Sequence, residues 1–589
     1  MSGIAGVVRL DGAPSNAAPL LRALARRGPD GTSEWSSGPV ALLHALLRTT
    51  PQDAGVFVDG DLVVTADARI DELDGVSPAA RGLSHAAAIA LAWRTWGEDC
   101  PAHLDGDFAF ALWDARTRTL FCARDHFGVK PFVYALLPGT LFAFASDVRT
   151  LLALPEVPRD VDEGRIAAFL EVRFEDKEST FYRSLRRLPG ASTLTLRDGR
   201  ASIKQYWTIR DVKPLTLRGG NAAYAEGYRE HFVRAVRERM RATHPSEVGA
   251  MLSGGIDSSA IACVARDELW AAGAGPLPVF SWIFSDAMEA DEREFQEPVI
   301  AAGGLRPIVL DSAENHASPW SDLDDLLPDG PPFATNHYLN VGMAKAAGPI
   351  GVRTILDGLA GDLIISRGSA RMAELFMRGK LITLARELGA LRQRSGTPLA
   401  RLFVTNVAVR VAPWPLVKLA AWMRRRPYRG QRFRSVREEQ MSQFESPFVA
   451  EGLEISDRMV AGRGVEGRYP FFDRRLAEYC FSLPSDQKLA DGYSRIVARR
   501  AMEGIVPDAV RWRAGKGAPG LHILQGLRAN RQELDQFFAG ETALVERWMD
   551  IDGLRRTHEQ LMSGRQVDYH AIIQLWSAAV LARWLKTYA

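Results

Sequence analysis

The heptad Ser253-Gly254-Gly255-Ile256-Asp257-Ser258-Ser259 constrains this chain more than any other stretch. The apolar run VGAML (248–252) precedes it, and the helix-forming run AIACVARDELW (260–270) follows it. A strand, a glycine turn and a helix are therefore expected in direct succession. Two adjacent glycines let the backbone approach an anion without a Cβ in the way. The helix start offers free N–H groups and the positive end of its dipole. Ser253, Ser258 and Ser259 add hydroxyl donors, so the loop suits phosphate. It is not a Walker A loop, because no Gly-Lys-Ser/Thr follows the glycines. A plain turn with Ser258 or Ser259 as N-cap would explain a bare Ser-Gly-Gly. The full heptad between strand and helix favours the phosphate reading.

Around this loop the pattern is that of a parallel α/β sheet. From Tyr224 onward, long helical stretches alternate with short apolar runs such as PVFSWIF (278–284) and VRTILDG (352–358). After Ser366 the chain reads as helical to residue 589. Residues 1–209 differ: GIAGVVRL, DLVVTADARI, DFAFALWD, LFCARD, LFAFASD and STLTL are strand-like runs bounded by turn residues, and 84–96 reads as a helix. Residues 210–221 lack periodicity and carry Pro and two Gly, which marks a linker. Domains are expected at 1–209 and 222–589.

Several classes are excluded. A formal net charge of +2 gives no reason to expect nucleic acid as a partner. The four cysteines form no CxxC pair, so neither a zinc site nor a disulfide framework is indicated, and a reducing, cytoplasmic setting fits. The N-terminal residues do not read as a signal peptide. The most apolar stretch, 399–423, is broken by Arg401, Arg410, Pro413, Pro415 and Lys418, which argues against a membrane span.

These motifs resemble the asparagine synthetase superfamily, whose members cleave ATP to AMP and pyrophosphate. The resemblance covers nearly the whole chain: ASDVRTLLALPEVP (145–158), TFYRSLRRLPGAS (180–192), QYW (205–207), the acidic-basic string Asp291-Glu292-Arg293, DRMVAGRGVEGRYPFFDRRLAEYCFSLP (457–484) and RWRAGKGAPG (511–520). It implies ATP and Mg²⁺ as cofactors. The nucleotide would be bound by Ser253, Gly254, Gly255, Asp257, Ser258, Ser259 and Asp362, the last closing a second turn, Asp357-Gly358-Leu359-Ala360-Gly361-Asp362. Asp257 and Asp362 would hold the metal, since Mg²⁺ favours a few protein oxygens together with phosphate and water. Lys516 matches the family's catalytic lysine and would stabilise charge during acyl transfer. Glu466 is the candidate to receive the amine proton, with pairing to Arg463 or Arg468 as the structural alternative, and Tyr469 is a weaker partner.

The N-terminal half resembles class II glutamine amidotransferase domains, in LDGDFAFALWDARTRTLFCARDHFGVKPFVYA (104–135) and Arg27-Gly28-Pro29-Asp30. The implied fold is an α+β, Ntn-type αββα sandwich, followed by an α/β adenine-nucleotide alpha-hydrolase-like synthetase domain with a helical C-terminal part. Three departures stand against glutaminase activity. Ser2 replaces the nucleophilic cysteine; Asp67-Ala68 replaces the Asn-Gly oxyanion element; and His44-Ala45-Leu46-Leu47 lacks the glutamine-binding arginine. Within the superfamily, GRYPFFDRRLAEYCFSLPSDQKLADGYSR, AMEGIVPDAVRWRAGK and LWSAAVLARWL look most like lasso peptide cyclases. That likeness implies a ribosomal core peptide as substrate, with a leader peptidase and a leader-recognition protein as partners. The isopeptide bond would join an Asp or Glu side chain to the peptide's N-terminal amine. Three alternatives stay open: a β-lactam synthetase-like or other small-molecule amide ligase, an ammonia-using asparagine synthetase, and a non-catalytic peptide-binding scaffold. The basic segment 367–437, with 17 Lys and Arg against Glu374 and Glu387, is expected either to contact the peptide or protease or to be a solvated face.

Overall fold

The structure, a computed structural model, describes residues 1–589 except 73, 74, 76, 286, 287, 289, 315–317, 424–431, 516–519, 566 and 589; at 419–423 and 520–522 it describes the backbone alone. The N-terminal half is two six-stranded antiparallel sheets packed face to face. One runs, edge to edge, Arg186–Arg187, Val133–Leu137, Leu141–Ala145, Gly3–Arg9, Val40–Ala45 and Thr32–Ser37. The other runs Arg200–Gln205, Ser192–Arg197, Thr119–Arg124, Gly106–Asp114, Leu62–Ile70 and Phe57–Asp59. Strand alternation divides the apolar residues between two layers. Ile4 and Val8 join Phe144, Ala111 and Cys122 in the core between the sheets. Ala5 and Val7, one residue out of phase, face helices. Gly6 is required here, because a Cβ would lie 2.4 Å from the Phe144 ring. Helix His85–Trp96 covers the second sheet through Ile89, Phe108 and Phe121.

The first sheet is covered partly by the far end of the chain. Helix Tyr569–Tyr588 places Trp576 and Trp584, both fully buried, in the same cluster as Ala5, Val7, Leu43 and Phe181. The Trp584 ring lies 5.4 Å from that of Phe181. The outer helical layer of the αββα sandwich therefore comes in part from the second half of the chain.

The second half holds a five-stranded parallel sheet in the order Leu305–Asp311, Leu277–Ile283, Val248–Met251, Thr354–Leu356, Glu466–Arg468. Val248–Met251 is central, with Ala250 paired to Val279 on one side and Leu356 on the other. The chain winds outward from it in one direction and returns on the other side. That reversal opens a crevice over the C-terminal ends of Val248–Met251 and Thr354–Leu356. One expectation is corrected: the chain is not wholly helical after Ser366, because Glu466–Arg468 adds the fifth strand. A strand of three residues is too short for a period-2 signal.

Buried ion pairs join the halves. Arg27, fully buried, donates to both carboxylate oxygens of Asp457 at 2.8 and 2.9 Å, and to Asp147 at 3.2 Å. Arg239 reaches Asp71 and Asp107 across the boundary at 3.1 and 3.2 Å, and Asp473 at 2.7 Å. Removing one member strands a charge in low dielectric, at about 3–5 kcal/mol. Asp457→Ala is therefore expected to lower the first thermal unfolding transition by an amount equivalent to about 3–5 kcal/mol. A transition unchanged from wild type would show that the pair does not hold the halves together.

Candidate functional site

The crevice is a cavity of about 590 Å³. Gly255 leads into helix Ile256–Ala271 and provides no side-chain cap, so the helix start is open to a ligand. Gly254 has φ +73°, and a Cβ there would meet Phe295 Cβ at 2.8 Å; glycine is what lets the loop turn. Ser258 Oγ accepts from the Ser253 N–H at 3.2 Å and lies 2.9 Å from Ser253 Oγ, which fixes both hydroxyls at the mouth. Ser253, Gly255, Asp257 and Ser258 line the cavity. Gly254 and Ser259 do not line it. Gly254 shapes the turn from behind. Ser259 is fully buried, and its N–H is used by Gly255 O at 3.0 Å.

The second turn packs directly on this loop. A Cβ on Gly358 would lie 3.0 Å from the Ser258 nitrogen, and one on Gly361 would lie 2.5 Å from Asp257 Cγ. Two glycines thus allow the contact that brings Asp257 and Asp362 to one cavity. Each carboxylate is met by an arginine: Asp257 by Arg495, Asp362 by Arg367. Arg495 is buried and stands at φ +54°, a left-handed conformation that a non-glycine residue adopts only where its surroundings require it. Arg367 is largely exposed and can swing away at little cost. Among the described residues no group of three or more His, Cys, Asp or Glu is disposed to hold a metal. The donor set here is two carboxylates at the end of a phosphate-shaped loop. This suits Mg²⁺, which takes the rest of its oxygens from phosphate and water.

The opposite wall is apolar. Phe280, Trp282, Phe284, Leu339 and Met343 line it. The Trp282 indole is fixed by donating Nε1–H to Leu339 O at 2.9 Å. A flat heteroaromatic ring fits this wall while its phosphates reach the loop. Asp357 also lines the cavity, half-buried, and desolvation pushes its carboxyl up to about 6.

Lys516 lies outside the described residues, as do Arg424, Arg425, Arg426 and Arg429 of the basic segment. The chain leading to Lys516 is described. Arg513 donates to Gly254 O at 3.1 Å, pairs with Glu292 and stacks 3.8 Å over the Phe295 ring. It ties the RWRAGK segment to the phosphate loop and gives the sequence match at Glu292 a structural role. Arg495, Arg513, Trp282 and Asp357 are site residues that motif reading did not single out. Asp357, Arg495 and Arg513 each lie inside a motif that resembles the family; Trp282 carried no such clue.

Glu466 is corrected. It does not line the phosphate cavity. It is buried at the junction of the halves, where Lys130 Nζ donates to it at 2.6 Å, Arg468 at 2.9 Å and Thr49 Oγ1 at 2.8 Å. Burial alone would raise its carboxyl; Arg468 and Lys130 overcome this and hold it well below the usual carboxylate range. A carboxylate so engaged is a poor proton acceptor. Tyr469 is likewise buried and outside the cavity.

Glu466 instead closes the pocket around Ser2. That space, bordered by Ser2, His44, Asp67, His85 and Glu466, is only about 10 Å³. One water needs roughly this much room. Ser2 Oγ accepts from Leu47 N at 3.0 Å and donates to Leu47 O at 3.2 Å. Asp67 pairs with Lys130 at 2.9 Å. Burial lowers His44 to about 4 and, with Arg241 and Arg69, His85 to about 3, so both rings are neutral near pH 7.

Residues 227–586 match the asparagine synthase family, and residues 1–207 match the glutamine amidotransferase domain. The chain is 25% identical to asparagine synthetase [glutamine-hydrolyzing] 3 of Bacillus subtilis, over 94% of each chain. It is 26% identical to a putative asparagine synthetase [glutamine-hydrolyzing] of Mycobacterium bovis, over 90% of this chain and 87% of that one. A solved glutamine phosphoribosylpyrophosphate amidotransferase from B. subtilis aligns at 12% identity with a TM-score of 0.26, over 53% of this chain and 81% of that one.

The contact between the two turns makes a direct prediction. Gly361→Ala forces the Asp257 carboxylate to move and is expected to weaken Mg-ATP binding about tenfold, a cost near 1.4 kcal/mol, with the thermal transition kept within a few degrees. Calorimetric binding equal to wild type would show that the close approach does not set the site.

Proposed function

The chain belongs to the asparagine synthase family of ATP-dependent amide ligases, and we propose that within it this enzyme closes a macrolactam on a ribosomal peptide, as a lasso peptide cyclase. The observation that carries this reading is the filled pocket around Ser2. A space of about 10 Å³ holds about one water as the side chains stand, and Asp67 would repel a developing oxyanion. The N-terminal half then supplies no ammonia, and the amine comes from the substrate itself. The strings at 467–495, 501–516 and 575–585, and the LDGLAGDLIISRG form of the second turn (356–368), support the peptide over a small amino acid.

The chemistry follows from the cavity. A substrate carboxylate oxygen attacks the α-phosphorus of ATP, and the bond to pyrophosphate breaks. The open helix start at Ile256, with Ser253 and Ser258, receives the departing phosphates. Mg²⁺ held by Asp257 and Asp362 would neutralise their charge. The peptide's N-terminal amine then attacks the acyl carbon and AMP leaves. Asp357 replaces Glu466 as the group to take the amine proton, because it lines the cavity and its carboxyl sits near 6, close to working pH. Lys516 stabilises the charge that develops on the acyl oxygen. Closing a ring in one peptide conformation demands that many torsions be fixed beforehand, so binding must supply proximity.

Mass spectrometry of the core peptide with its protease, Mg-ATP and this enzyme is expected to show loss of one water and formation of AMP. Lys516→Ala should abolish both, and glutamine should yield no glutamate. An unchanged peptide, with ATP consumed on small amino acids, would refute the cyclase reading and favour a β-lactam synthetase-like ligase. The base assignment has its own pH signature. Asp357 accepts a proton only when ionised, so kcat should fall as pH drops through about 6. Asp357→Asn should lose that acid limb together with about 10²–10⁴ of the rate; an unaltered limb in the variant would exclude Asp357.

A further inference from the structure

A second and larger cavity, about 860 Å³, lies apart from the phosphate loop. It opens between helices Arg371–Met377 and Leu381–Ser395, the start of helix Gly220–Arg239 and the turn 481–491. It shares no lining residue with the first cavity. Seven Lys and Arg side chains line it, against four carboxylates. Three of those carboxylates are taken by neighbours within the wall: Glu374 by Arg378 at 3.0 Å, Glu387 by Arg371 at 3.4 Å, and Asp491 by Arg500 at 3.9 Å. Lys380, Arg386, Arg437 and Lys488 have no carboxylate in ion-pair contact among the described residues.

Two of the lining cations are buried, which separates this cavity from an ordinary solvated basic face. Lys488 is 1% exposed, and among the described residues its ammonium is hydrogen-bonded by the Gln440 amide oxygen and, at 3.5 Å, by Phe481 O. Both partners are neutral. Burial lowers the ammonium to about 7, and the more distant Glu374 and Glu439 carboxylates offset this only in part. Arg371 is 7% exposed; besides its long pair with Glu387 at 3.4 Å it donates to Ser485 Oγ at 3.1 Å, and its Nε has no hydrogen-bond partner among the described residues. Burying cations and leaving donors unused is unfavourable unless an anion completes the arrangement. We propose that this cavity is a second ligand site, which binds a small multivalent anion, carboxylate or phosphate, seated between Arg371, Arg437 and Lys488 and closed over by Lys380 and Arg386. Its charge excess and polar wall disfavour an apolar ligand, and the inference does not depend on which amide the enzyme makes.

Calorimetric titration of the full chain in Mg²⁺-free buffer tests it, with citrate as the carboxylate probe and tripolyphosphate as the phosphate probe. Saturable binding of at least one is expected; which one binds identifies the anion's chemistry. Lys380→Glu/Arg386→Glu changes two exposed residues, so the fold should persist, as an unchanged thermal transition will show. Affinity in that variant should fall at least about tenfold, the scale of lost charge-assisted hydrogen bonds. Asp362→Asn, in the other cavity, should leave probe affinity as in wild type. No binding of either probe at millimolar concentration would overturn the proposal. So would binding that is untouched in the double variant, or abolished by Asp362→Asn.

Discussion

Lys130 and Glu466 meet at 2.6 Å with neither exposed to water, one contributed by each half of the chain. Neither charge could remain there alone: a lone buried ion carries a penalty of several kcal/mol. Asp67 on one side and Arg468 on the other extend the pair into a run of alternating charge, and Thr49 takes one remaining lone pair. With Arg27–Asp457 and the Arg239 network, this run fixes how the N-terminal sandwich sits on the parallel sheet. Strand Glu466–Arg468 is both the edge of that sheet and the seat of the interface charges. The geometry of the phosphate cavity is therefore anchored from beneath by contacts to a domain that takes no part in lining it.

Within the cavity the decisive element is small size. Gly254, Gly358 and Gly361 each stand where a Cβ would strike a neighbour, and the last two put the second turn against the first. Charged side chains then hold what the glycines allow. Arg495 steadies Asp257, and Arg513 fastens the segment before Lys516 to Gly254. The active-site parts thus come from three separated stretches, near 255, 360 and 513, each gripped by another.

Motif and alternation carried much of this. Apolar runs such as GIAGVVRL and VGAML announce strands because both faces are buried, and the heptad marks the phosphate loop because no other use explains its whole pattern. What stayed hidden was long-range. Glu466 sits in a string that reads as catalytic, yet its partner Lys130 is 336 positions away, and no local pattern records that contact. Asp357 looks like an ordinary turn residue until its place in the cavity wall is known. Leu305–Asp311 is a half-exposed edge strand containing Pro307, so neither alternation nor apolar content declares it. Arg495 adopts its left-handed backbone under tertiary constraint, with nothing in its neighbours to announce it.

Helix Tyr569–Tyr588 has a consequence for how the molecule comes into being. Its tryptophans complete the core of a sandwich whose strands are made first, and Tyr182 donates to a carbonyl 406 positions later in the chain. At ~5–20 residues per second, ribosomal synthesis leaves that part of the outer layer missing for roughly 20–80 s. During this time the face of Ala5, Val7 and Leu43 is an apolar surface waiting for its cover. The N-terminal half, normally the first domain to mature on a ribosome, is here completed only when the last helix has been made.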